Sequence, residues 1–263
     1  MKKYFAVFKM TLIENMQYVL NMALGFVSFI VMIFIFLNLW QYIYSDPNSL
    51  INGYTMKQMI WYVIITEMIW FGTRNKILIN EISEDIKTGH IAYNLNKPYS
   101  YILYIISKYL GEIFIKVFIF ITFAILTGIA FVGPIDNFNI VNIPYLIIVF
   151  ILAIIINALI RVTISLFSFY IEESAPFHWI YDKLILIVGV LFPVEMFPKS
   201  MQGIIKWSPI FVVTYGPAKL IIDFSMNMLK EVLLVQIVYL IITSILITIV
   251  YRKGVKKLSV NGG

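Results

Sequence analysis

The sequence predicts an all-α membrane protein, a bundle of six transmembrane helices with short helices at both ends. Three observations carry that prediction. Of the 263 residues, 61% are hydrophobic and 13% are charged, whereas a soluble domain holds roughly 45–50% apolar and about 25% charged residues. The apolar residues gather into long blocks, and a helix needs ~20 of them to cross a ~30 Å hydrocarbon layer. Lysine and arginine are spread unevenly among the connections, as they are in oriented membrane proteins.

Taken in order, residues 1–17 place Tyr4, Phe5, Phe8 and Leu12 on one side of a helical wheel and Lys2 and Lys3 away from them. This is the pattern of a helix lying at a membrane surface. Spans are expected at about 18–44, 57–73, 101–132, 144–171, 179–195 and 231–251. The block beginning near Val19 is too long for the apolar region of a secretion signal and has no small-residue cleavage site after it. With the N-terminus inside, the inner segments hold Lys2, Lys3, Lys9, Arg74, Lys76, Lys87, Lys97, Lys108, Arg161, Lys183, Arg252, Lys253, Lys256 and Lys257. The outer loops near 45–56 and 133–143 hold no lysine or arginine. The long connection with Lys199, Lys206, Lys219 and Lys230 follows the rule less strictly, as long loops do. Both termini are therefore expected in the cytoplasm, with the chain in the cell membrane. The net charge of +6 reads as a topology signal, and nucleic acid is not among the expected partners.

Residues 73–100 form a charged island between two apolar blocks. Ile82 and Ile86 are four apart and share a helical face, with Glu84, Asp85 and Lys87 on the other. Gly89 suits the left-handed conformation that ends a helix. The expectation is a short amphipathic helix at 81–89, apolar towards the bundle and acidic towards the cytoplasm. Near the other end, Pro193, Pro198, Pro209 and Pro217 divide residues 192–220 into pieces too short to span, because each proline removes a backbone donor. The pieces stay apolar, including Phe192 and Phe197. Two short helices dipping into the outer leaflet as a lid are expected, since broken helices at membrane depth need cover.

Charges inside spans are functional candidates by default. At 1.5 Å per residue, Arg74 lies ~26 Å below Lys57, Arg161 ~26 Å below Pro144, and Lys116 ~24 Å below Val132. Glu112 is one turn deeper than Lys116. They share a level near the inner edge of the hydrocarbon, so an ionic cluster is expected in which Glu112 partners Arg161 or Lys116. Glu67, about 15 Å below Lys57 on the same rise, has no obvious partner and is the best single candidate for a polar path. The chain has no cysteine, hence no thiolate chemistry. It carries no phosphate-binding Gly-x-x-x-x-Gly-Lys-Ser/Thr, no His-Glu-x-x-His and no Gly-x-Ser-x-Gly. No catalytic, cofactor or metal residue is expected, and His90 and His178 read as solvated loop side chains.

The order of these features resembles the permease subunits of type-two ABC exporters, closest to the group associated with daunorubicin- and viologen-type export. Glu81-Ile82, Gly89, Leu95 and Pro98 resemble that family's cytoplasmic coupling helix and its exit. Phe192-Pro193, Phe197-Pro198, Ser208-Pro209 and Tyr215-Gly-Pro217 resemble its outer re-entrant segment. The resemblance implies a pair of permeases, two cytoplasmic ATPase subunits that bind ATP and Mg, and export of a small amphipathic compound or a peptide. It also implies a path lined by spans one, two and five, gated by 192–220. Two rival readings stay open. A secondary transporter working without ATP would usually show an internal repeat and broken helices in both halves. A membrane-embedded lipid-modifying enzyme needs catalytic polar residues clustered at one depth, and here they are scattered.

Overall fold

A computed structural model describes residues 2–261. Outside the described residues lie Met1, Tyr18, Ser45, Pro47, Asn48, Lys76, Glu172, Gly262 and Gly263, and the side chains of 19–23 and 258–261. Lys76, one of the expected inner cations, is therefore not placed. Among the described residues there is no strand, only an isolated bridge between Ile51 and Tyr54.

Among the described residues, four helices are long and apolar enough to cross a membrane: α2 (Val19–Ile43), α6 (Tyr101–Val132), α7 (Ile143–Leu166) and α11 (Met226–Asn261). Each exposes a stripe of large apolar side chains, such as Val31 and Ile35 on α2, Phe118 on α6, Ile151 on α7 and Ile241 on α11. The other two segments expected to span are of a different kind. Helix α3 (Met56–Thr73) is buried throughout 59–69, so protein rather than lipid surrounds it. It starts on a capping box, with the Gln58 N–H bonded to the Thr55 hydroxyl and the Thr55 N–H to the Gln58 side chain. Helix α8 (Ala175–Leu184) continues as a π-helix over Ile185–Leu191. It ends there because Phe192 precedes a proline, which favours the extended conformation that Phe192 adopts.

Helix α3 packs between α2 and α6, α11 packs along α7, and α10 (Gly216–Ile222) lies in the interior between these groups. Phe71 of α3 sits against Phe29 of α2 and Phe120 of α6, with ring centres 5.9 and 5.6 Å apart. Gly128 of α6 is needed for this packing: a Cβ there would run into the Trp61 ring. Both described chain ends lie at one end of the bundle, with Lys3 bonded to the Pro98 carbonyl and Tyr101 stacked on Tyr251. We call this the basic end.

Helix α1 (Lys2–Met16) differs from the surface helix expected. Its Tyr4–Phe8–Leu12 stripe packs on α6, where Gly111 lets the α1 backbone come close. Phe5, Met10, Ile13 and Met16 are exposed instead. The stripe covers protein, and the lipid-type face is the opposite one.

Candidate functional site

At the basic end the chain leaves α3 at Arg74 and forms a π-helical turn over Ile77–Glu81. It runs on into α4 (Ile82–Lys87) and, past Gly89, into α5 (His90–Leu95). Gly89 has φ 75°, a conformation glycine takes without steric penalty, and this reverses the chain. Ile82 and Ile86 are buried while Glu84 and Lys87 are exposed. Asp85, expected on the outward acidic face, is turned in. Its side chain is 13% exposed. It accepts from the Tyr101 hydroxyl at 2.6 Å, faces His90 Nδ1 at 3.0 Å and has Asn94 Nδ2 at 3.5 Å. Three polar groups converging on one carboxylate fasten α5 and α6 to α4. The outward face consists of Glu84, Lys87, His90 and Tyr93. Lys87 reaches Glu173 at 3.5 Å. Tyr93 is 62% exposed, with the His90 ring stacked at 5.7 Å and Lys97 Nζ 4.2 Å from its ring centre.

Behind α4 lies a buried cluster of hydroxyls. Ser83 Oγ is 2.5 Å from Ser174 Oγ, and Ser168 donates to Ser83 at 3.0 Å. Ser165 donates to the Leu78 carbonyl and lies 2.8 Å from His178 Nε2. Because the one hydroxyl proton of Ser165 points at that carbonyl, His178 must donate from Nε2. Its buried Nδ1 has no hydrogen-bond partner. A serine beside a histidine resembles a nucleophile and its base, but this serine keeps its proton on the backbone and no carboxylate orients the histidine. The pair is a structural link. His178 is not the solvated loop residue expected, because α8 begins at Ala175 and carries it into the interior, whereas His90, at the start of α5, is exposed.

The intramembrane charges do not assemble as one cluster. Arg161, 3% exposed, pairs with Asp182 of α8 at 2.7 Å, and its guanidinium carbon lies 5.3 Å from the Tyr181 ring centre. Its partner is thus not Glu112, because α7 turns Arg161 towards Asp182 of α8. Glu112 and Lys116 on α6 do attract one another, as the second alternative expected, and both face the 74–75 connection: Lys116 donates to the Arg74 carbonyl at 2.6 Å, and Asn75 lies beside Glu112. Arg74 itself is exposed. Lys108 holds both carboxylate oxygens of Glu81 at 2.8 Å. Glu67 is 1% exposed, and its Oε1 has no hydrogen-bond partner. An ionised carboxylate so placed costs several kcal/mol, on the order of what any unpaired buried charge does.

At the far end, Phe192 and Pro193 lead into a 3-10 turn at Val194–Met196, then α9 (Lys199–Lys206) after Pro198. Glu195 ties this turn down, accepting from the Tyr54 hydroxyl at 2.8 Å and the Tyr215 hydroxyl at 2.5 Å. Burial and the adjacent Glu195 carboxylate push Tyr54 well above the ordinary tyrosine range, so it remains a donor. Gln202 donates to the Phe197 carbonyl at 2.9 Å. After Pro209 the chain does not form a second surface helix: residues 210–218 are buried in the bundle. Pro217 does not end that helix either. A π-turn over Phe211–Tyr215, closed by the Gly216 N–H on the Phe211 carbonyl, accommodates it. The Val212 carbonyl accepts from Gln236 of α11 at 3.2 Å.

The sequence reading passed over Glu195, Asp182, Tyr93, Gln236 and the hydroxyl cluster. Glu195 did leave a signal, as a lone acid between two Phe-Pro pairs. The serines left none. A family model described as ABC-2 family transporter protein matches residues 12–262. No curated protein matches the chain.

Proposed function

The chain belongs to the ABC-2 transporter family, and from that premise we propose that it is the membrane-spanning permease of an ATP-driven exporter. In this reading separate cytoplasmic ATPase subunits bind ATP and Mg and dock on the basic end. Two permeases pair, and the cargo is a small amphipathic compound or a peptide. The six expected segments all span, with both termini cytoplasmic. The observation that carries the reading is the α4–α5 element: short helices seated on the basic end of the bundle and fastened by Asp85, that present Glu84, Lys87, His90 and Tyr93 outward. A loop that merely reconnected two spans would need no such fastening. A pre-ordered surface with an exposed aromatic suits partner docking, because little order remains to be imposed on binding. Ile82, Ile86, Asp85 and Gly89 keep its shape.

The path is proposed along α2, α3 and the 175–191 helix. Glu67 supports this by its place on the wheel, one turn before Trp70 and Phe71. Phe71 packs on Phe29 of α2, and Trp70 joins the cluster of Tyr181 and Ile185. Glu67 thus faces the seam between those helices. The segment 192–220, pinned by Glu195, is proposed as the outer gate.

The test is co-expression with the candidate ATPase. Wild type is expected to retain the ATPase through purification in lipid, and the charge-swapped Glu84→Lys/Lys87→Glu variant to lose it. If wild type retains no ATPase, the motor-driven reading fails. If the swapped variant binds as well as wild type, docking lies elsewhere.

A further inference from the structure

The short α4 helix is joined to α3 and α6 by the chain, and to α6 also by Asp85 on Tyr101, yet the bonds of its buried Ser83 run elsewhere. Ser83 lies 2.5 Å from Ser174, the residue just before α8, and accepts from Ser168 at 3.0 Å just after α7. One turn back, the Leu78 carbonyl accepts from Ser165, which His178 of α8 also holds at 2.8 Å. Four of these side chains, Ser83, Ser165, Ser168 and Ser174, are buried, as is His178. Hydroxyls in such a place are satisfied only by one another and by the backbone, so a displacement of α4 that broke these bonds would strand several of them. The cheaper response is for α8 to move with α4.

The helix that begins at this joint ends at the lid. Residues 175–191 run continuously across the bundle. At their far end the Gly189 carbonyl accepts from Tyr62 at 2.5 Å, and Gly189 lies so close to Thr214 that a Cβ would not fit between them. Glu195 follows four residues after the helix ends.

We infer that the Ser83–Ser168–Ser174 cluster, with Ser165 and His178 beneath it, is the joint that passes displacement of α4 to the 175–191 helix and so to the lid. These are positioning residues. The inference rests on the exporter reading for the source of the displacement, and it assigns the route: across buried hydrogen bonds to the fifth helical segment, rather than only along the chain into α3 and α6.

The test uses the permease–ATPase complex in lipid and reads hydrogen exchange over 192–222, with and without nucleotide trapped in the motor. Wild type is expected to change exchange there on trapping. Ser83→Ala/Ser174→Ala is expected to keep the motor bound and hydrolysing while the change over 192–222 falls at least about fivefold. Because the chain has no cysteine, a Ser83→Cys/Ser174→Cys pair supplies the only thiols. Oxidised to a disulfide it is expected to restore the response, and reduced to lose it, which separates a lost joint from a damaged fold. An undiminished response in the double alanine variant overturns the joint and leaves docking intact. Loss of the motor from that variant also overturns it, since the cluster would then shape the docking face. If wild type binds no motor, the inference falls with the exporter reading.

Discussion

The two ends of the bundle are fastened by different means. At the lid end one carboxylate, Glu195, receives both buried tyrosine hydroxyls that reach the 192–198 turn, and the rest of 192–220 is tied to α11 through Lys206 on Glu231, Tyr239 on the Trp207 carbonyl and Gln236 on the Val212 carbonyl. At the basic end the α4–α5 element is held by many partners: Asp85 with three, Glu81 with Lys108, and the serine cluster. A turn whose buried bonds meet on one carboxylate can be released by a single change. Distributed fastening suits a part that must be moved without losing its shape. The contrast is tested by removing fastenings one at a time.

The largest loss is expected at the lid. Glu195→Ala strands the Tyr54 and Tyr215 hydroxyls in a buried site and should lower stability by about 3 kcal/mol, read as the thermal midpoint in detergent. Glu195→Gln keeps one acceptor oxygen and should lose about half as much. If both variants unfold like wild type, Glu195 is not what holds the 192–198 turn.

Gly111→Val should follow. Its side chain would meet the α1 backbone at Phe8, and such overpacking costs typically about 2 kcal/mol. The damage should stay at the basic end, seen as faster proteolysis within 2–16 while the lid residues keep their exchange rates. Cleavage no faster than wild type would mean that α1 rests on α6 only loosely.

Asp85→Ala should cost less, about 1.5 kcal/mol, because His90 is largely exposed and water replaces that contact. Its mark is local: exchange over 82–100 should quicken while the thermal midpoint moves little. A large global shift would show that the basic end, too, depends on one residue.

What the sequence made legible follows from this contrast. The long apolar helices were readable because lipid contact imposes composition over twenty residues at a time. The start of α8 was not, because His178 looks like a loop residue until Ser165 is seen to meet it. Pro217 was read as a helix end, and only the π-turn and the Gln236 amide, from residues close in space but distant in sequence, allow the helix to continue. Asp85 and Glu84 are neighbours of the same chemistry, and a wheel set both outward. The donors that turn Asp85 inward come from residues 90, 94 and 101, beyond the helix on which the wheel was drawn. Helix α5 is too short for periodicity to reveal.

That last distinction gives the smallest structural effect and the sharpest functional one. Glu84 is exposed, and its side chain lies outside the fastening network, so Glu84→Lys should change stability by no more than about 0.5 kcal/mol, as surface substitutions do. Asp85→Lys, one residue on, places an ammonium where three polar groups converge and should disorder α5. If the motor docks on the outward face, both variants lose it, but only Glu84→Lys does so with wild-type exchange over 82–100. Equal exchange damage in the two would mean that Glu84 helps to hold the helix. Retention of the motor by Glu84→Lys together with its loss from Asp85→Lys would move docking onto α5, with Tyr93 as the residue to remove next.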